Sequence, residues 1–130
     1  MALLAAGRTR AAAAPAPFEI LAFQTQGAAS ELIDQSAPSL TAVGVAGITL
    51  AGPGTVSAVD PAALVQLARA HAAGRPAVLL VNNWSEAAGA FSEPLAHQTL
   101  VSRAASAQAA AAVVAQGWDG VSVDLERRAR

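Results

Sequence analysis

Four short apolar runs, "FEILAFQ" (18–24), "TAVGVAGITL" (41–50), "AVLLVNN" (77–83) and "DGVSVDLE" (119–126), recur along the chain with helix-like segments between them. Each has the length and the aliphatic content of a strand. Strands separated by helices form βαβ units and hence a parallel sheet. The order is β-α-β-α-β-α-β, which suits either an open doubly wound sheet or the first half of a barrel. Strand periodicity alone does not choose between them.

The intervening helices have readable ends. In the second, Asp60 is placed to cap and Pro61 suits the first helical position. Leu64, Leu67, Ala68 and His71 then recur at helical spacing, and Gly74 can close the end. The first helix, around "SELIDQSA", is short and stops before Pro38. The third begins near Ser92-Glu93-Pro94 and continues, with a break near Ser102, to Gln116 ahead of Gly117. "AGPGTV" (51–56) reads as a turn-rich loop. Residues 1–17 read as a flexible leader or the remnant of an export signal, because small residues precede Phe18 but the arginines follow the apolar "ALLAA" instead of preceding it.

Composition removes several classes of chemistry. The chain has 130 residues, 54% hydrophobic and 13% charged, with a net charge of -1. This balance describes a globular segment and offers nothing to a polyanion, so no nucleic-acid partner is expected. All eight cations are arginine and cysteine is absent, which excludes Schiff-base, P-loop lysine and thiol chemistry. The most alanine-rich stretch is interrupted by Ser106, Gln108 and Gln116, so no membrane span is expected.

Against that background the last run stands out, with three carboxylates in eight residues. On a strand, Ser122, Asp124 and Glu126 share one face while Val121, Val123 and Leu125 share the other. A parallel strand is normally buried on both faces, so two acids on one face call for a polar interior or a cleft. The mouth of a barrel, at the C-terminal ends of its strands, is such a place. Glu126 is predicted to be the last strand residue, with Asp124 about 7 Å behind it. The inner charge would raise the pKa of the outer group, as a general acid requires.

These residues resemble the active-site strand of glycoside hydrolase family 18, the chitinase-like enzymes. Asp119, Asp124 and Glu126 fall on that family's pattern of acids, Gly120 follows Asp119 as it commonly does, and Ser122 stands where many members have an aspartate. "ALVQLARAHAAGRPAVLLVNNW" and "FSEPLAHQTLVSRAASAQAAAAVVAQGWDGVSVDLE" are similar to the bacterial branch that includes spore-germination and cell-wall lytic members. The similarity extends over about Phe18 to Glu126, within residues 18–130 as a partial catalytic domain. It implies an α/β fold, the first half (β-α-β-α-β-α-β) of a TIM (β/α)8 barrel.

The resemblance further implies substrate-assisted, retaining hydrolysis of β-1,4 linkages next to N-acetylated amino sugars, of chitin or peptidoglycan type. Glu126 would protonate the leaving oxygen, and Asp124 would orient the substrate's acetamido group. Asp119 would support the strand or an inner network. No metal or cofactor is implied, and the setting is left open, with secreted or cell-wall associated among the alternatives. Ser122 can hydrogen-bond Asp124 but cannot shuttle a proton as an aspartate would, so an altered pH profile is expected before any loss of chemistry.

Asn82 and Asn83 could bind sugar hydroxyls or cap the turn that follows. Trp84 could stack on a sugar ring, Trp118 is expected to pack, and His71 and His97 lack metal-ligand spacing. Three other readings stay open: a non-catalytic carbohydrate-binding protein, an α/β domain holding a divalent cation on Asp124 and Glu126, and a charged strand end. Half a barrel would expose sheet edges and invite self-association. The isolated 130 residues are expected to show no measurable hydrolysis.

Overall fold

The apolar run at 77–82 forms the centre of the molecule. The computed structural model describes residues 19–52 and 55–127, so the leader expected at 1–17 lies outside the described residues. The main strands are β1 (Leu21–Gln24), β2 (Ala42–Gly52), β4 (Ala77–Asn82) and β7 (Gly120–Asp124). They pair in parallel and lie side by side in the order β1-β2-β4-β7, each next to its predecessor in the chain. A doubly wound sheet reverses its strand order at a switch point, whereas this sheet grows in one direction only.

The helices α1 (Glu31–Ser36), α2 (Pro61–Ala72), α3 (Glu93–Leu100) and α4 (Arg103–Gln116) form the connections. One sheet face carries the core. Val43, Val45, Ile48 and Leu50 of β2 and Ala77, Leu79 and Val81 of β4 are buried against Ile33 of α1, Leu67 and Ala70 of α2 and Ala109 of α4. The strict alternation along β4 follows from the two-residue period of a strand. Trp118 is buried in the same core, as its position before β7 led us to expect.

Residues matched in register point the same way, which defines the opposite, open face. There Phe23, Gly44, Val78 and Gly120 stand abreast. The next row is Ala46, Leu80 and Ser122, and the last, toward the strands' C-terminal ends, is Thr49, Asn82 and Asp124. The Phe23 ring lies over Gly44, where an added Cβ would clash with Phe23 Cδ1. At Gly47 an added Cβ would come 2.9 Å from the Ala63 Cβ on α2. This close approach coincides with a bulge between Ala46 and Ile48, and Gly47 O accepts the Asp60 N–H at the start of α2.

The expected helix signals act as read. Asp60 Oδ1 accepts the Ala62 N–H at 2.7 Å, Pro61 opens α2, and Gly117, at φ 78°, closes α4 in the left-handed conformation. The third helix does break at Ser102, into α3 and α4. Other expectations need correction. α1 does stop before Pro38, at Ser36, but a separate 3-10 turn (Ala37–Ser39) that the sequence did not suggest follows it. The 51–56 segment is not all loop, because β3 (Thr55–Val56) folds back antiparallel on β2. After β4 comes a small hairpin, β5 (Trp84–Ser85) with β6 (Ala90–Phe91), that the sequence reading lacks. The last strand ends at Asp124 instead of Glu126, because β4 turns away after Asn82 and leaves no backbone to pair with.

Candidate active site

The parallel sheet gathers the C-terminal ends of its strands at one edge, where loops carry polar groups without interrupting the ladder. Asp124 is the last residue of β7, exposed on the open face beside Asn82. Glu126 lies two residues further on and is also exposed. Leu125 between them packs against the core. The three residues therefore keep strand parity beyond the ladder, with both carboxylates opposite the helices. Among the described residues, neither carboxylate takes part in a hydrogen bond or ion pair. The neighbouring Arg127 pairs instead with Glu93, at 3.2 Å on the surface.

Ser122 sits one row behind Asp124 on the same face, half-buried beside Leu80. The asparagines diverge. Asn82 occupies the open face in register with Asp124, and its Oδ1 accepts the Trp84 N–H at 3.0 Å. Asn83 is wholly buried. Its Nδ2 donates to Ser92 O (3.0 Å) and Glu126 O (2.7 Å), and its Oδ1 accepts the Glu126 N–H (2.8 Å). Trp84 is half-buried and meets Phe91 edge-on across the hairpin, with ring centroids 5.3 Å apart.

Asp119 stands at the other end of β7, about 16 Å of extended chain from Asp124. Its Oδ2 accepts the Ala77 N–H at 2.8 Å and bonds His71 Nε2 at 2.8 Å, joining α2, β4 and β7. The Ala77 amide, with the His71 ring second, holds the Asp119 carboxyl below the usual carboxylate range. A carboxyl so depressed contributes stability above its ordinary value of 3.8. That contribution is lost as pH falls through the lower folded value. Thermal melts of the chain and of Asp119→Asn should therefore differ at neutral pH and converge below about pH 4. Parallel melting curves across that range would show that this contact carries no such linkage.

A cleft of about 310 Å³ opens at the same edge, lined by Gln26, Thr49, Asp60, Asn82 and Glu86 among others; Asp124 and Glu126 do not line it, and Asn82 is its link to their row. The sequence reading missed Thr49, because the bulge at Gly47 changes the parity that a count along β2 would give. It also missed Gln66, a buried residue of α2 whose Nε2 donates to Thr25 O (2.9 Å) and Gln26 O (3.0 Å), tying the loop after β1 to α2. His97 is exposed on α3. Among the described residues, no group of three or more His, Cys, Asp or Glu side chains is arranged to hold a metal ion. No helix among them is long and apolar enough to cross a membrane.

No protein-family model matches the sequence, and no curated protein matches it. Solved structures do match. The chain is similar to a class V chitinase from Pseudomonas fluorescens Pf-5, with a TM-score of 0.72 and 23% identity over 85% of this chain and 35% of that one. It is similar to the spore cortex-lytic enzyme SleL of Bacillus cereus, with a TM-score of 0.67 and 16% identity over 85% of this chain and 28% of that one. The SleL of Bacillus megaterium QM B1551 gives 0.68 and 19%, over 83% and 27%. The chain thus spans about a third of the length of these enzymes, and what it has in common with them is the α/β fold of that portion.

Proposed function

We propose that this chain carries the catalytic strand of a chitinase-like glycoside hydrolase of family 18. Its substrates would be β-1,4-linked glycans bearing N-acetylated amino sugars, of chitin or peptidoglycan type. The observation that carries this reading is the pair Asp124 and Glu126, exposed with common parity at the C-terminal edge of a singly wound parallel sheet. That edge is where barrel enzymes keep their chemistry. Likeness to a chitinase and to cortex-lytic enzymes supports the same assignment. In a complete (β/α)8 barrel a further βα unit packs outside β7, on the side where Val121 and Val123 are 46% and 63% exposed.

In this mechanism Glu126 donates its proton to the glycosidic oxygen as that C–O bond breaks. The substrate's own acetamido oxygen forms the new bond to the anomeric carbon, giving a cyclic oxazolinium ion and the departing alcohol. The Asp124 carboxylate orients the acetamido N–H and offsets the positive charge. Glu126, now ionised, then takes a proton from the water that opens the ring, so configuration is retained over two displacements.

The test is turnover in a complete form of the enzyme. N-acetylglucosamine oligomers should be cleaved with the β configuration in the first-formed product, and fully de-N-acetylated glucosamine oligomers should not be cleaved. Inverted product, or equal turnover of both oligomers, would remove the substrate's amide from the mechanism.

A further inference from the structure

We propose that Asn83 is the positioning residue for Glu126, its side-chain amide standing in for the strand that β4 ceases to provide; this rests on the reading of Glu126 as the general acid. The last backbone pair between β4 and β7 is Asn82 with Asp124, and β4 then leaves the sheet for the hairpin. Glu126 would have no neighbour on that side. An extended residue turns its N–H and C=O to the same side, and in a sheet both bond the adjacent strand. Here one amide takes both: Asn83 Oδ1 accepts the Glu126 N–H at 2.8 Å, and Asn83 Nδ2 donates to Glu126 O at 2.7 Å. Holding both groups toward β4 keeps Glu126 extended and so keeps its carboxyl on the Asp124 face.

The other end of the link is fixed as well. The second Nδ2 hydrogen goes to Ser92 O, and the Asn83 carbonyl accepts the Ser92 N–H at 2.8 Å, so the chain leaving the hairpin and the catalytic segment share one anchor. Asn83 is 0% exposed and both its amide hydrogens are committed. It is therefore unavailable to a sugar, and its effect on substrate must pass through Glu126. Only an amide supplies both donor and acceptor here, since a carboxylate would set its charge against Glu126 O and Ser92 O and could donate to neither.

Amide hydrogen exchange of the 130-residue chain, followed by NMR, tests the link without requiring activity. In the unsubstituted chain the Asn83 side-chain NH₂ should exchange about tenfold or more slowly than that of Asn82, because it is buried with bonds to Ser92 O and Glu126 O, whereas Asn82 is half-buried and bonds through its Oδ1. Comparable rates would overturn the proposal, whether or not any variant folds.

Asn83→Asp keeps an acceptor for the Glu126 N–H but loses both donors and sets its charge against Glu126 O and Ser92 O, so the displaced segment should lose about tenfold of its protection at the Glu126 N–H at neutral pH and regain part of it when the new carboxyl is protonated and can donate. Val81→Ala, a core truncation, should leave Glu126 comparatively protected. Equal loss in both variants, or no recovery on acidification, would reduce Asn83 to general packing. In a complete enzyme, Asn83→Asp should lower kcat with KM little changed. If the unsubstituted enzyme cleaves no glycan, the catalytic reading fails while the exchange experiments still decide whether Asn83 holds Glu126.

Discussion

On the proposed mechanism, replacing Glu126 by glutamine in a form of the protein that cleaves N-acetylglucosamine oligomers should lower kcat by about a thousandfold, within the range that a general acid contributes. The amide keeps the size and shape of the carboxyl but has no proton to give to the glycosidic oxygen and no basicity for the second step. The fold should be untouched. Glu126 is exposed, the bonds that hold it are made by its backbone, and surface changes of this kind alter stability by about 0.5 kcal/mol or less. With an aryl glycoside, whose leaving group departs without protonation, the loss should shrink, because the first step no longer needs the acid. The measurement is kcat and KM for both substrates alongside a melting curve. Full activity in the glutamine variant would dismiss Glu126 as the acid, and an equal loss on both substrates would assign it a different role.

The parts of the fold that were legible in the sequence rest on local signals. Asp60, Pro61 and Gly74 delimit α2 through capping and backbone preference alone, and Gly117 ends α4 in the same way. The parity of Ser122 and Asp124 needs only the two-residue period of a strand. What the sequence withheld depends on distant partners. Strands as short as β3 and the β5–β6 pair have no periodicity to read and exist because a particular neighbour presents free backbone groups. The end of β7 is set by where β4 departs, 42 residues earlier in register.

The two asparagines show the same division within the site. Side by side in sequence, they offer identical chemistry, and strand parity puts them on opposite faces without saying what either one meets. Tertiary contact does: Asn82 faces the open side and caps the next peptide, while Asn83 reaches a residue 43 positions away. His71 likewise shows only helical spacing in the sequence, and its bond to Asp119 appears once β7 is aligned with β4. Asp119 is consequently tied into the base of the sheet, at the end opposite Asp124 and Glu126.

Asp124→Asn should separate charge stabilisation from simple contact. Asp124 has no cationic partner among the described residues, and Asn82 beside it in register is neutral. In the proposed mechanism the Asp124 charge matters most when the acetamido oxygen bonds to carbon and the ring becomes cationic. Interactions present only at that stage appear in kcat, whereas those made equally with substrate appear in KM. Removal of one preorganised electrostatic partner costs about 10²- to 10³-fold, and kcat should fall by that order while KM changes little. A thiazoline analogue of the cyclic intermediate offers an independent readout, since its affinity should drop far more than that of the unreacted oligosaccharide. Equal weakening of both ligands would make Asp124 an ordinary sugar contact and leave the positive charge to be balanced by another group.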